Sequence, residues 1–396
     1  MQICKNMLKE KIETLSETYY ESYRSVRHHL HANPELSYKE FNTSKFIQDH
    51  LQSLGIPFKV MAETGVVALI EGKKSNRVIA LRADIDALPI QEANNVAYAS
   101  KVPGVMHACG HDVHTTILLG AARILNETKA HWEGTVKLIF QPGEEKNPGG
   151  ASILIKEGVL ENPAPTAIIG LHVHPILETG KLSFKSGKAM ASADEIYITV
   201  KGKGGHAATP HLTADTVLAA SELVVALQKV VSRDKDPLSP SVLSICAING
   251  GFTTNVIPSE VKLMGTFRAM DETWRFNAHK RMKEIADGIA TSSGAEIDFK
   301  IDVGYPTVYN DPVITEKARS IAASSMGNSN IEEGELRMGA EDFGYYSQKI
   351  AGCFFRLGTG NKQKNITSGV HTPTFDIDED AIEIGMRMMA TFGATL

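Results

Sequence analysis

Cysteine is scarce in this 396-residue chain. The four present, Cys4, Cys109, Cys246 and Cys353, are widely scattered, a pattern that excludes a disulfide framework and suits a reducing compartment. A surplus of positive charge is missing as well: 41 Lys and Arg face 46 Asp and Glu, for a net charge of −5. A mildly acidic chain carries no electrostatic footprint for nucleic acid. No apolar run approaches the ~20 residues that a membrane helix needs. The charged, amphipathic stretch 1–20 holds neither an apolar h-region nor a small-residue cleavage site, so no signal peptide is expected and the setting is read as cytoplasmic. Internal repeats and low-complexity tracts are absent too. What is present is ordinary globular composition, 42% hydrophobic and 22% charged, ample for two domains with their own cores.

The first part of the chain alternates helix and strand. Residues 9–31 read as a helix stopped by Asn33-Pro34, and 38–54 as a second helix closed by Gly55. The runs 66–71, 78–82, 134–140 and 166–171 read as strands, and 112–126 and 151–157 as helices. This alternation predicts an α/β fold with a mixed, largely parallel sheet flanked by helices. The rhythm then changes to strand 195–200, helix 213–231, strands 241–248 and 261–267, helix 272–291 and strand 297–301. That β-α-β-β-α-β order is the ferredoxin-like unit. The expected organisation is a catalytic domain in two pieces, 1–185 and 297–396, interrupted by an inserted α+β lid and dimerisation domain at 186–296.

The densest chemistry lies in Met106-His107-Ala108-Cys109-Gly110-His111-Asp112-Val113-His114, which packs one thiol, three imidazoles and a carboxylate into nine residues. Cys109 and His111 suit a transition metal. The competing interpretation is a buried cysteine with capping histidines. Polar clusters also follow three expected strands: Arg82-Ala83-Asp84-Ile85-Asp86, Gln141-Pro142-Gly143-Glu144-Glu145 and His172-Val173-His174-Pro175. Open α/β sheets bind ligands at the carboxyl ends of their strands, so these clusters are expected to converge. A hydrolytic metal site needs one carboxylate on the metal and another to take a proton from water. Glu144 and Glu145 could supply both, although an exposed acidic turn gives the same sequence. His172 is a ligand candidate and His174 a core histidine. Asp84 and Asp86 could orient ligands, or one of them could cap a turn. His371 sits in a turn-rich loop.

The second domain has its own cluster. Gly202-Lys203-Gly204-Gly205-His206 superficially resembles a dinucleotide loop, but Thr209-Pro210 follows where a helix should begin. The glycines are better suited to presenting His206 on a tight turn. Asn255 lies in a connection between strands. Arg268 ends a strand, where it could bind a carboxylate bidentately or simply face solvent.

Together with Leu30-His31-Ala32-Asn33-Pro34-Glu35, Gly204-Gly205-His206-Ala207-Ala208, Asn255-Val256-Ile257-Pro258, Met338-Gly339-Ala340-Glu341-Asp342-Phe343 and His371-Thr372-Pro373, these motifs occur in order. Nearly end to end, the chain resembles the aminoacylase/carboxypeptidase metallohydrolases, in the N-acyl-amino-acid amidohydrolase branch with hippurate and indole-acetyl-amino-acid hydrolases. The resemblance implies two divalent metal ions per subunit (Zn, Mn, Co or Ni) held by Cys109, His111, Glu145, His172 and His371. It implies Glu144 as general base and later proton donor, and Asp86 as a ligand-orienting residue. It implies His206 as the group that polarises the scissile carbonyl in a partner subunit's site, and Asn255 and Arg268 as holders of the substrate carboxylate. Asp84 stands where related peptidases place a ligand histidine. No core position departs from the pattern.

The expected reaction is hydrolysis of an N-acyl amino acid to carboxylate and free amino acid by a homodimer, with no nucleic-acid or membrane partner. A dipeptidase or carboxypeptidase on the same scaffold is the alternative enzyme. A metal-binding protein without turnover is the alternative outside enzymes, and the Glu144-Glu145 pair argues against it.

Overall fold

Apolar periodicity and caps set where the elements begin. The computed structural model describes residues 2–396, with side chains from residue 7 onward, so Cys4 lies outside the described side chains. The chain divides into two compact units. The first comprises Met1–Ala189, Tyr309–Glu335 and Tyr345–Leu396, and the second Met190–Val308 and Leu336–Gly344.

The first unit opens with helices α1 (Gln2–Ala32) and α2 (Phe41–Ser53), then strands β1 (Phe58–Met61), β2 (Gly65–Glu71) and β3 (Lys73–Asp84). Helix α3 (His111–Thr128), β4 (Glu133–Gln141) and β5 (Ala167–Glu178) follow. The eight-stranded sheet runs β1-β2-β4-β3-β5 and continues through Ala351–Gly360, Leu182–Phe184 and Ile331–Glu333. The central pairs β3–β4, β3–β5 and β5 with Ala351–Gly360 are parallel, whereas β1–β2 and β2–β4 are antiparallel. This is the mixed, centrally parallel α/β sheet that the alternating elements predict. Helix α3 buries nearly every residue from His111 to Leu125. It packs against α1, the sheet and the C-terminal helix Asp380–Thr395, which explains why its apolar positions run all round rather than along one stripe.

One strand runs well past its expected end. The apolar run predicts an end near residue 171, yet β5 continues to Glu178. Its parallel register with Ala351–Gly360 extends past His172 and His174, so ladder pairing with a distant strand overrides local composition.

The second unit is a four-stranded antiparallel sheet in the order Ser241–Asn249, Glu260–Ala269, Asp194–Lys201, Glu296–Val303. Helices Thr216–Lys229 and Glu272–Ser293 accompany it, and a separate apolar core holds it together. Asp215 caps the first helix by accepting the N–H groups of Val217 and Leu218 at 3.0 Å, which moves the start from the expected 213 to Thr216. The strand Glu296–Val303 lies across the expected boundary at 296 and pairs along its whole length with Asp194–Lys201. This unit therefore continues to Val308. Among the described residues, no helix is long and apolar enough to cross a membrane.

Candidate active site

The site is assembled in the first unit by three parallel strands and the start of α3. Strands β4, β3 and β5 are neighbours and parallel, so their carboxyl ends open on the same side. Gly110, at φ +83, turns the chain into α3, and a Cβ there would lie 2.5 Å from Val173 Cγ2. Only glycine meets both demands. The turn fixes Cys109 just before the helix and His111 as its first residue, both buried. His172 comes from β5 and is also buried. Glu144 and Glu145 lie in the loop after β4, Glu144 buried and Glu145 partly so. An exposed acidic turn is thereby ruled out. His371 arrives from 262 residues away in sequence to place Nε2 3.3 Å from Cys109 Sγ.

The donor atoms converge. Cys109 Sγ lies 3.4 Å from His172 Nε2, and His371 Nε2 lies 3.2 Å from Glu145 Oε1. Two triads, Cys109–His111–His172 and Cys109–Glu145–His371, and a third group, His111–Glu144–Glu145, each bring their ligand atoms within 4.8 Å of one another. Ligands around a tetrahedral transition-metal ion are separated by about 3.5 Å, given bonds of roughly 2.0–2.3 Å. The five residues expected as ligands are thus brought together here, with Glu144 beside them.

Hydrogen bonds set the imidazole tautomers. His172 Nδ1 donates to the carbonyl of Val173 at 2.8 Å, which leaves Nε2 as the lone pair aimed at Cys109. His111 Nδ1 donates to Asp86 Oδ1 at 3.1 Å, and its buried Nε2 has no hydrogen-bond partner. An orphaned, buried imidazole nitrogen beside a thiol and carboxylates fits a metal ion. His114 belongs to a cluster with Asp84 and His111 but is saturated. Its Nδ1 donates to Asp84 at 2.6 Å, and its Nε2 accepts the N–H of Val173 at 3.0 Å.

The electrostatics are those of an acidic pocket. Burial, then the charges of Glu145 and Glu144, hold the Cys109 thiol well above its ordinary pKa. Burial opposes a charge on His111, but Asp84 and Asp86 raise it to about 10. Burial, aided by Arg356, keeps His172 well below its usual value and neutral. Asp84, Asp86, Glu144 and Glu145 crowd this one pocket with acid, so a cation is its chemically matched occupant.

Supporting residues hold the donors. Asp86 Oδ2 accepts from Ser37 Oγ at 2.6 Å and from the N–H of Glu145 at 3.0 Å. Asp84 does not cap a turn: its carboxylate bridges Arg82 at 2.6 Å and His114. Glu40 Oε1 accepts the N–H of Gly143 at 2.9 Å and so fixes the turn into Glu144. The orienting parts played by Ser37, Glu40, Arg82 and His114 were not foreseen from sequence. Arg82 and His114 stand inside motifs and Ser37 and Glu40 in none, and a polar residue in a sequence says nothing about its partner.

The other expected residues lie in the second unit. His206 is exposed on the two-residue strand Gly205–His206, paired with Val256–Ile257. Its Nδ1 accepts from the N–H of Ala208 at 3.1 Å, which leaves Nε2 as an N–H donor to solvent. Asn255 belongs to the same ribbon, its carbonyl accepting from Ala207 at 3.0 Å and its Oδ1 from Thr253. Arg268 sits on a different sheet, half-buried in Glu260–Ala269, with Nε 3.2 Å from Thr266 Oγ1.

The chain is similar to known proteins over nearly its whole length. The N-acetylcysteine deacetylase of Bacillus subtilis (strain 168) is 40% identical over 371 residues, covering 92% of this chain and 94% of that protein. Thermostable carboxypeptidase 2 of Saccharolobus solfataricus is 40% identical over 365 residues, covering 91% of each. The crystal structure of the Bacillus subtilis YXEP protein, described as a dinuclear metal binding peptidase from the M20 family, superposes with a TM-score of 0.83 at 37% identity, covering 96% of this chain and 98% of that one. Residues 80–394 match the profile of peptidase family M20/M25/M40, and the chain belongs to that family.

Proposed function

We propose that this hydrolase cleaves the amide bond of N-acyl amino acids, releasing a carboxylate and the free amino acid, with Glu144 as general base. The observation that carries the proposal is the pair Glu144-Glu145. One carboxylate falls in a triad with Cys109 and His371, while its buried neighbour lies beside it and His111. Hydrolysis calls for that division of labour, and metal storage does not.

Cys109, His111, Glu145, His172 and His371 would hold two divalent ions. Zn²⁺ best suits the Cys and His donors, with Mn²⁺, Co²⁺ and Ni²⁺ as alternatives. When bound, such ions polarise a carbonyl and acidify water at neutral pH. Glu144 takes the proton from the attacking water and returns it to the departing amine. His206 of the partner subunit donates Nε2–H to the carbonyl oxygen as negative charge develops there, an interaction typically worth a few kcal/mol per donor. Asn255 and Arg268 hold the substrate carboxylate. Burial lowers the Arg268 pKa, so an anion is its natural partner.

A homodimer through the second unit is supported by that unit's own surface. Val217, Leu218 and Val225 are exposed on the helix Thr216–Lys229. On Ser241–Asn249, the edge strand of the four-stranded sheet, exposed Ile248 lines a shallow groove with Val224 of that helix. An apolar patch next to an unpaired strand edge is an association surface. A lid role for this unit and a cytoplasmic setting complete the reading. The free thiols of Cys109, Cys246 and Cys353 support the latter.

A carboxypeptidase or dipeptidase reading is favoured by the Saccharolobus solfataricus relative. One experiment separates the two. Metal is stripped and Zn²⁺, Mn²⁺, Co²⁺ or Ni²⁺ restored singly. Amino-acid release is then measured from acetyl, benzoyl and indole-acetyl amino acids beside free dipeptides. Metal-dependent release from the acylated panel is expected, and cleavage of dipeptides alone would move the assignment to peptidase.

A further inference from the structure

We propose that Arg27 is a positioning residue of the metal centre. It sets the spacing between the two segments that bring Cys109 with His111 and, separately, His371. The proposal rests on the ligand reading above only for its metal readout.

Arg27 lies on α1, far in sequence from every ligand, and its side chain is fully buried. Its guanidinium engages three carboxylates. Nε donates to Asp112 Oδ2 at 3.0 Å, Nη2 to Asp376 Oδ1 at 2.7 Å and Nη1 to Glu379 Oε1 at 3.1 Å. Asp112 follows His111 directly in the first turn of α3, and Asp376 lies five residues after His371 in the same connection to the C-terminal helix. One rigid fork therefore spans both ligand-bearing segments from behind, a task that a lysine ammonium, lacking the planar geometry, cannot match.

Further contacts complete the clamp. The Arg27 guanidinium lies 4.7 Å from the centre of the Tyr98 ring, and Tyr98 donates to Asp376 Oδ2 at 2.8 Å. His31 Nδ1 shares Asp112 Oδ2 at 2.8 Å, and its Nε2 faces Glu92 at 3.2 Å. Next to Glu92, the N–H of Ala93 donates to Pro373 O at 2.8 Å, and Asn94 Nδ2 to Phe375 O at 2.9 Å. The His371 loop is thus tied by backbone and side chain to the region that Asp112 anchors.

The loop needs such restraint. His371 is held at φ +62, a left-handed conformation that a non-glycine residue keeps only where its surroundings over-determine it. Its own N–H donates to Ala108 O at 2.7 Å, which joins it to the Cys109 segment. The clamp holds the same connection five residues further on, at Asp376.

The test compares Asp376→Asn with Glu379→Gln in the full-length protein. Each removes one carboxylate charge from the same guanidinium and leaves it two others. Both side chains are one-fifth exposed, so both variants are expected to fold. Asp376 lies five residues from His371, whereas Glu379 is the cap of the C-terminal helix Asp380–Thr395. Two readouts are taken: hydrogen exchange of the amides at 371–375 in metal-free protein, and Zn²⁺ affinity by competition with a chromophoric chelator. Asp376→Asn should speed exchange in that loop roughly tenfold and weaken one of two bound Zn²⁺ ions by about tenfold or more. Glu379→Gln should change neither. Equal effects in the two variants, or no effect in either, would overturn the proposal. If the wild-type protein took up no Zn²⁺, the exchange comparison alone would decide the clamp. If it bound Zn²⁺ but hydrolysed no acylated amino acid, the amidohydrolase reading would fail while the clamp still stood or fell on its own data.

Discussion

Asp86 stands directly behind His111, its Oδ1 3.1 Å from the ring Nδ1, and its other oxygen accepts the N–H of Glu145 at 3.0 Å. One carboxylate thereby orients two of the proposed ligands, His111 and Glu145, and fixes the tautomer of the first. Asp86→Asn keeps the shape but presents an amide donor to one of two N–H groups. Metal affinity should fall by about 10- to 100-fold, the usual cost of losing such a partner, as read by chelator competition. Unaltered affinity would strip Asp86 of this role.

In the proposed mechanism Glu144 moves a proton and binds no metal. Glu144→Gln should lower kcat by roughly 10²- to 10⁴-fold while metal content per subunit stays at the wild-type level. Substantial turnover, or loss of metal, would reassign the residue.

His31 makes stability depend on pH. Burial opposes its charge, but the charge and hydrogen bond of Asp112 and the hydrogen bond of Glu92 raise its pKa to about 8. A folded-state pKa above the unfolded one stabilises fully below about pH 6.5, and the gain is lost as pH rises through about 8. The contribution is about 2 kcal/mol. Urea midpoints of the wild type and His31→Gln, taken from about pH 6 to about pH 9, should converge as pH rises. A constant gap would place the stabilising charge elsewhere.

His206 is exposed, with its Nε2–H turned to solvent, whereas Glu144 is buried in the first unit. If His206 acts in the site of the partner subunit, His206→Ala and Glu144→Gln are each inactive alone. Mixed and refolded together, they should recover turnover, because a hybrid dimer contains one intact site. Failure to recover activity in verified hybrid dimers would place His206 in its own subunit's site.

Much of this protein was legible in its sequence. The alternation of 3.6- and 2-residue periods gave the mixed α/β sheet and the β-α-β-β-α-β segment, because both periods are local properties of the chain. The clusters around Glu144 and His172 are expected to converge because they follow strands of one sheet, and Cys109 stands in the densest run of metal-competent side chains, whereas His371 is named only through the resemblance to the metallohydrolase family; all four share a pocket. Tertiary structure alone decided the rest. The extension of β5 to Glu178 comes from pairing with Ala351–Gly360, and the second unit's reach to Val308 from pairing of Glu296–Val303. The saturation of His114 depends on a backbone N–H in β5, and the span of Arg27 on carboxylates hundreds of residues away. Such relationships are set by register and burial. A charged residue written in a sequence looks the same whether it meets solvent or closes a clamp, and only the folded chain selects its partner.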